Sequence, residues 1–477
     1  MKIKLFAAFL IWVCGFGNTV NAQKENNIWY FGYHAGLDFN SGAPVTLTNG
    51  ALFTGEGCSS ISDSNGTLLF YTDGITVWDR NHAQMPNGDS LKGGQMGSST
   101  QSALIVPFPG NNFMYYIFTV GEVESLPIEF NYSVVDMSLN SGNGDVSIKN
   151  NFLMSPVTEK LTAVKHSNNI DIWVMVHGVY SNSFICYLVS ASGISPVPVI
   201  SNIGAVIPDS SLDAVGYMKF SIDGTKIAYA AYVNNYVDLF DFNSTTGIVS
   251  NEKYLTFPGG SAYGLEFSSN GNFLYATGLQ PPQIYQWDIT SNIASVINST
   301  QQLVGVSTTT PIPQIGALQI APDGKIYVAH TGKFFLGVIN DPDLPGILCN
   351  YNDSVLSLNG YVSTHGLPNF MTSYFLTTGI NTNNPPQNQL TISPSPATGK
   401  IYISFPATVV QTITTKIFSL TGEVVYEQKN KSAAPITRFQ IPIYNISNGI
   451  YFLSVRTSSE SEQAGREVVT KKIVVQH

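Results

Sequence analysis

A hydrophobe, a small residue, a polar turn closing on glycine and a fresh apolar strand recur along this chain of 477 residues. Recurrence of that kind restricts a chain to a repeat architecture. Phe220-Ser-Ile-Asp-Gly224 leads into Ile227-Ala-Tyr229 and on to Val237–Asp241, and Phe267-Ser-Ser-Asn-Gly271 leads into Phe273-Leu-Tyr275 and Ile284–Asp288. Ile320-Ala-Pro-Asp-Gly324 leads into Ile326-Tyr327 and Leu336–Asn340, and Ile61-Ser-Asp-Ser-Asn-Gly66 into Leu69-Phe-Tyr71 and Val77-Trp-Asp79. Weaker copies surround Val106–Gly110 and His166–Asn169, and a seventh unit assembles from Val355–Phe375 closed by the opening strand Trp29–Gly32. No stripe of helical period interrupts them, so the domain is expected to be all-β. Positions 29–376 supply 348 residues, which suits seven blades of about 50 residues each. A seven-bladed β-propeller is therefore expected, its first and last sheet edges hidden by closure of the ring.

The two ends of the chain read differently. Lys2 and Lys4, an apolar run from Leu5 to about Gly15, and Val20-Asn21-Ala22 have the three parts of a secretory signal peptide over 1–22, with cleavage between Ala22 and Gln23. No later apolar run reaches the roughly 20 residues of a membrane helix, so no transmembrane span is expected. Residues 391–477 carry nine basic and five acidic groups, a net of +4, whereas 23–390 carry 11 and 26, a net of −15. The change of sign coincides with a turn-rich linker over 378–389, between a propeller at 23–377 and a separate domain at 390–477. Seven strand-like runs in that tail, with Ile401, Ile403 and Phe405 alternating against Tyr402 and Ser404, predict a small Ig-like β-sandwich. An acidic large domain without a basic stripe makes nucleic acid a poor partner.

Chemistry is harder to find than architecture. Beyond Cys14 the cysteines are Cys58, Cys186 and Cys349, an odd and widely spaced set that forms neither a disulfide framework nor a zinc site and suits buried packing. His34, His166, His177, His330 and His365 share no metal-ligand spacing, and the large domain has one arginine, Arg80. Gly88-Asp-Ser-Leu91 resembles an esterase serine motif but lacks its downstream Asp-x-x-His, and Asp63-Ser-Asn-Gly66 lacks the closing Glu of a calcium loop, so turn chemistry accounts for both. No cofactor and no metal are expected, and no catalytic residue is nominated.

Further resemblances lie in the motifs. The blade grammar, with Trp287-Asp288 and Trp78-Asp79, resembles WD40-like and YVTN-like propeller repeats. Trp29–Gly32, Gly36-Leu-Asp-Phe39, Glu56–Asp63 and Phe70–Trp78 resemble a group of uncharacterised surface propellers of Bacteroidota, which implies fold and setting but no activity. The tail is similar to the type IX secretion C-terminal sorting domain through Pro394, Pro396 and Gly399, the Leu420–Glu423 turn, Gly449-Ile450-Tyr451, and the closing Lys471-Lys472 with Ile473-Val474; Ser395 stands where the family usually has Asn. That resemblance implies engagement of the type IX secretion machinery and release to the extracellular space or attachment at the outer-membrane surface.

In a propeller the strand before each repeat turn runs nearest the axis. The residues preceding the anchor hydrophobe include Lys165, Lys219, Glu266 and Gln319, predicted as a polar ring near the channel, with Lys219 and Glu266 paired between blades. An inter-blade pair without a ligand accounts for such a ring more simply than a binding site does. Two functional classes follow: a non-enzymatic module that binds protein or glycan through blade-end loops bearing Tyr180, Tyr232, Tyr236 and Tyr285, or a secreted hydrolase or lyase acting on an extracellular polymer. Acid–base groups gathered at one mouth of the channel would favour the enzyme, and scattered ones the binder.

Overall fold

A computed structural model describes residues 23–94, 97–125, 127–208, 212–309, 314–375, 391–393, 397–404, 412–419, 424–431, 438–458 and 467–476. The signal peptide, Ala22, the linker at 378–389, Pro394 and Pro396 lie outside these. The chain divides into two compact units, Met1–Thr378 and Gly379–His477.

The larger unit is a β-propeller of seven antiparallel sheets in chain order. The first holds Ile28–Phe31, Ala35–Asp38 and Val45–Leu47, and the next six open on Ser59–Ser62, Ala103–Pro107, Val157–Lys165, Met218–Phe220, Ala262–Phe267 and Ile315–Ile320. In each of those six the opening strand lies at one edge of its sheet, and these strands pack on one another in succession around an axis. The segment 361–369 closes the ring. Ala317 N donates to His365 O at 2.7 Å on one side, and Asn369 N donates to Cys58 O at 2.8 Å on the other. An antiparallel bridge between Tyr33 and Val362 joins this closing segment to the opening sheet. The ring is thus fastened by both ends of the domain, which removes a free first and last edge.

The repeat turns owe their shape to their residue types. Gly66, Gly224, Gly271 and Gly324 all sit at positive φ, between 67° and 86°, where only glycine is unstrained. The acid or amide in each turn accepts backbone N–H bonds from the residue two ahead: Asp63 from Asn65 at 2.8 Å, Asp223 from Thr225 at 3.1 Å, Asn270 from Asn272 at 2.9 Å and Asp323 from Lys325 at 3.2 Å. The Asp63 carboxylate is therefore occupied by its own turn.

Strands inside the ring are covered on both faces by neighbouring blades, so Ile326–His330 and Phe273–Gly278 are buried at every residue. Close packing at the axis depends on small residues. A Cβ on Gly264 would lie 2.5 Å from Gly316 O, one on Gly316 would lie 2.1 Å from His365 O, and one on Gly366 would lie 1.9 Å from Glu56 O. The single α-helix among the described residues is Ala294–Ser299, in the connection before the outer strand Gln302–Val306. Cys58, Cys186 and Cys349 are free and buried.

The smaller unit stacks a three-stranded sheet of Thr391–Ser393, Lys400–Ser404 and Arg438–Pro442 with a four-stranded sheet of Val424–Lys431, Thr412–Phe418, Gly449–Ser458 and Glu467–Val475. Ile401, Ile403, Ile417, Ile441, Leu453, Val455, Ile473 and Val475 form its core. Ile401 and Ile403 point inward with Tyr402 half-buried between them, the alternation of a sandwich strand. The turn at Leu420–Glu423 and Phe405 lie outside the described residues.

Candidate functional site

The axis is filled with polar side chains rather than left open. Gln101 Nε2 donates to Met218 O at 3.1 Å, and Asn369 Nδ2 to Leu161 O at 2.9 Å, tying three inner strands to the closing segment. Lys219 Nζ lies 3.2 Å from Glu266 Oε2, donates to Gln319 Oε1, and is almost wholly buried with both partners. Glu266 Oε2 also accepts from Ile320 N at 3.0 Å, so the buried charges are paired and hydrogen-bonded across three successive blades.

Lys165 is engaged elsewhere, and the reason is a register offset. The hydrogen bond closing its turn runs from His166 N to Asp171 O, matching Ser221 N to Lys226 O and Ser268 N to Phe273 O. Lys165 therefore occupies the slot of Phe220 and Phe267, one residue away from Lys219 and Glu266. A shift of one residue turns a strand side chain to the other face. Val164, buried, holds the slot equivalent to Lys219, while Lys165 Nζ lies 3.0 Å from the end of the Gln23 side-chain amide, which accepts from it once its O and N are assigned to satisfy both neighbours, and the Lys165 backbone N donates to Ser373 Oγ. Gln23 thus packs at the foot of a blade.

A cavity of about 280 Å³ opens at the end of the channel where the inner strands begin. Glu56 stands before the strand Ser59–Ser62, Ser98 before Ala103–Pro107, Val215 before Met218–Phe220, Gln314 before Ile315–Ile320, and His365 is in the closing segment. Tyr232 and Gln280 reach in from loops between second and third strands. Blade-to-blade connections therefore supply the walls, as the ring geometry requires. Among the described residues that line it there is no lysine or arginine.

Acid–base groups concentrate here. Tyr263 Oη donates to Glu56 Oε2 at 2.9 Å from a fully buried ring. Burial, then the neighbouring Glu159 carboxylate, pushes Glu56 up to about 8, so it holds its proton at neutral pH. Glu159 sits beneath it, accepting from Thr100 N at 2.8 Å, Thr100 Oγ1 at 2.7 Å and Val123 N at 2.7 Å. Burial raises Glu159 to about 7 while those hydrogen bonds oppose the rise. Lys160, next in sequence but on the opposite face of its strand, spends all three donors on Val215 O, Gly216 O and Ala230 O at 2.6, 3.0 and 2.9 Å. His365 lies on the wall with its ring 6.2 Å from that of Tyr263, and burial lowers its pKa. Glu124 stands exposed at the rim, 3.5 Å from Ser98 Oγ. The cavity thus presents a protonated carboxyl, a phenol, a neutral imidazole and an exposed carboxylate at one mouth.

Of the tyrosines expected at blade ends, Tyr232 lines the cavity and Tyr180 is exposed, but Tyr285 is half-buried and Tyr236 is only 6% exposed, its ring tilted against that of Tyr254 inside the blade. In the sequence Glu56 is marked only by Gly55 and Gly57 flanking it before an inner strand, and Glu159-Lys160 only as adjacent charges in the strand Val157–Lys165, which the fold buries almost throughout. Their burial and shifted pKa values, which mark them as candidates, come from the fold and not from the local pattern. Among the described residues no group of three or more His, Cys, Asp or Glu is placed to hold a metal ion.

In the smaller unit Gly399 sits at φ 75° and its carbonyl accepts from Ile443 N at 2.9 Å. Gly449, Ile450 and Tyr451 open the strand that pairs with the last one, with Tyr451 Oη donating to Ser447 O at 3.0 Å. Lys471 and Lys472 lie on that last strand, opposite Leu453 and Phe452.

No curated protein matches the chain. Solved structures similar to it include a functionally unknown protein from Desulfotomaculum acetoxidans, 13% identical, covering 78% of this chain and 94% of its own, at a TM-score of 0.37. A protein from Bacteroides fragilis provisionally assigned as a 6-phosphogluconolactonase is 13% identical over 81% of this chain and 98% of its own, at 0.40. A periplasmic gluconolactonase from Pseudomonas aeruginosa is 13% identical over 77% and 94%, at 0.35. Superpositions this loose carry no argument about the site. Among the described residues no helix is long and apolar enough to cross a membrane. Residues 391–476 match the family model of the secretion system C-terminal sorting domain, and such a domain marks a protein for export to the extracellular space or the cell surface.

Proposed function

We propose that this is a Bacteroidota surface propeller, exported through the type IX pathway, that binds a neutral, hydroxyl-rich ligand of glycan type in the mouth cavity. The observation that carries this reading is Glu56, protonated at neutral pH and hydrogen-bonded to Tyr263 at the floor of a cavity without cationic lining. A protonated carboxyl both donates and accepts, which suits hydroxyl groups, and the absence of Lys or Arg from the described lining disfavours phosphorylated or acidic ligands. Tyr232 offers an aromatic wall and Gln280 and Gln314 offer amides, the mixture of apolar surface and few polar anchors that small-ligand sites use. The buried cluster Lys219, Glu266 and Gln319 enters this proposal only as scaffold, as does Lys165 on the other face of its strand.

Binding is common to both functional classes, and a second reading adds chemistry to it. Glu56 as proton donor and His365 as neutral base on one wall favour a hydrolase or lyase acting on the same ligand class. Screening the full mature chain against neutral and acidic glycans, with release of reducing ends measured in parallel, separates the readings. Neutral glycan binding without turnover supports the module, and turnover abolished by Glu56→Gln supports the enzyme. Exclusive binding of acidic glycans contradicts both.

A further inference from the structure

Beside the cavity lies an aromatic surface that the binding site alone does not explain. Tyr33 and Phe53 face each other with ring centroids 4.0 Å apart and planes 5° from parallel. They are a cross-strand pair, joined by an antiparallel bridge. Phe53 is 59% exposed although one face is covered by Tyr33, so its other face is open to solvent. His34 flanks it at 5.8 Å, and Tyr361 stands 6.5 Å from His34. Phe113, Phe152 and Phe334 are about as exposed, so exposure alone does not mark Phe53; what sets it apart is the flat ring pair with Tyr33 on the segment that runs into the cavity.

The platform and the cavity belong to the same mouth. Two chain segments run side by side from one to the other: 53–56 carries Phe53 on the platform and Glu56 in the cavity, and 361–365 carries Tyr361 and His365 likewise. They are laced together by Thr364 Oγ1 to Thr54 O at 3.1 Å and His365 N to Gly55 O at 3.0 Å, and Thr54 N donates to Gly32 O at 3.0 Å. Three residues of extended chain separate Phe53 from Glu56, which holds their Cα atoms within about 11 Å. Tyr361 is held by its Oη–Thr48 O bond at 2.8 Å and His34 by its ring bond to Gly50 O at 2.9 Å, so the residues flanking the platform are pinned.

We propose that the open face of Phe53, backed by Tyr33, is a stacking subsite for a further sugar ring of a neutral glycan chain whose end occupies the cavity. This rests on the cavity being a glycan site, and it sharpens that reading from a small sugar to an extended chain. A flat aromatic face matches the apolar face of a sugar ring, and an acidic domain with no lysine or arginine among the described residues lining the cavity suits a chain whose end is neutral better than an anionic one.

The test uses the full mature chain and the backbone that binds best in a neutral glycan array, presented as oligomers from disaccharide to hexasaccharide. Wild type should bind longer oligomers more tightly. Phe53→Ala should lose that gain, about tenfold or about 1.4 kcal/mol, while disaccharide affinity stays within about twofold and Phe53→Trp restores the loss. Length-dependent binding unchanged in Phe53→Ala overturns the platform and leaves the cavity reading standing. No neutral glycan bound by wild type overturns both, as does selective binding of basic peptides in place of glycans.

Discussion

At Glu56 the fold moves the protonation of a carboxyl into the neutral range. Burial raises its carboxyl from 4.5 to about 8, so between those values the folded protein binds more protons than the unfolded chain and stability falls as pH rises through that window. Glu56→Gln removes this dependence. The variant should be more stable than wild type above pH 8 by about 2 kcal/mol, once solvent screening at the mouth is allowed for, and indistinguishable from it near pH 4. Thermal midpoints of the two proteins measured across that range check it, and parallel curves would contradict the buried, protonated carboxyl. Lys219 poses the complementary case. Lys219→Ala leaves Glu266 buried without its cation and should cost about 3–5 kcal/mol by chemical denaturation, whereas the double substitution Lys219→Met with Glu266→Leu should recover most of that.

At the scale of elements, two glycines separate conformation from contact. A Cβ on Gly324 meets nothing within 4 Å, so Gly324→Ala should cost only the strain of its positive φ, about 1 kcal/mol. Gly366→Ala would drive a Cβ against Glu56 O at the ring closure and should cost about 3 kcal/mol or more, with Glu56 titrating nearer its ordinary value. Urea denaturation of the pair reads both. The strong repeats were legible because a glycine turn with an acid or amide in front of it has one local solution, independent of the rest of the fold. Around His166 that turn lacks its glycine, with Asn169 at positive φ instead, and His166 in the anchor position puts Lys165 one slot from where the turn's own hydrogen bond places it. The cavity was illegible for a different reason: Glu56, Tyr263 and His365 are brought together by ring closure over some three hundred positions, and no local pattern encodes that meeting. Phe53 likewise stands out only through its ring pairing with Tyr33, a contact between segments that no local pattern encodes.

For the whole molecule, the two units carry opposite net charge. The acidic propeller holds the proposed site, and the basic sandwich matches the sorting domain that marks a protein for export. Deleting residues 379–477 should leave a folded propeller that accumulates inside the cell envelope instead of reaching the surface, as read by fractionation and surface labelling. Surface display undiminished by the deletion would contradict that division. The central claim is that the mouth cavity takes neutral glycan, and the most direct measurement is titration of a neutral oligosaccharide into the full mature chain and into Tyr232→Ala. Tyr232 lines the cavity from a loop, so its loss should leave folding intact. The account predicts saturable binding to wild type that falls at least about tenfold, or about 1.4 kcal/mol, in the variant at an unchanged thermal midpoint. Equal binding by both proteins, or none by wild type, would contradict it.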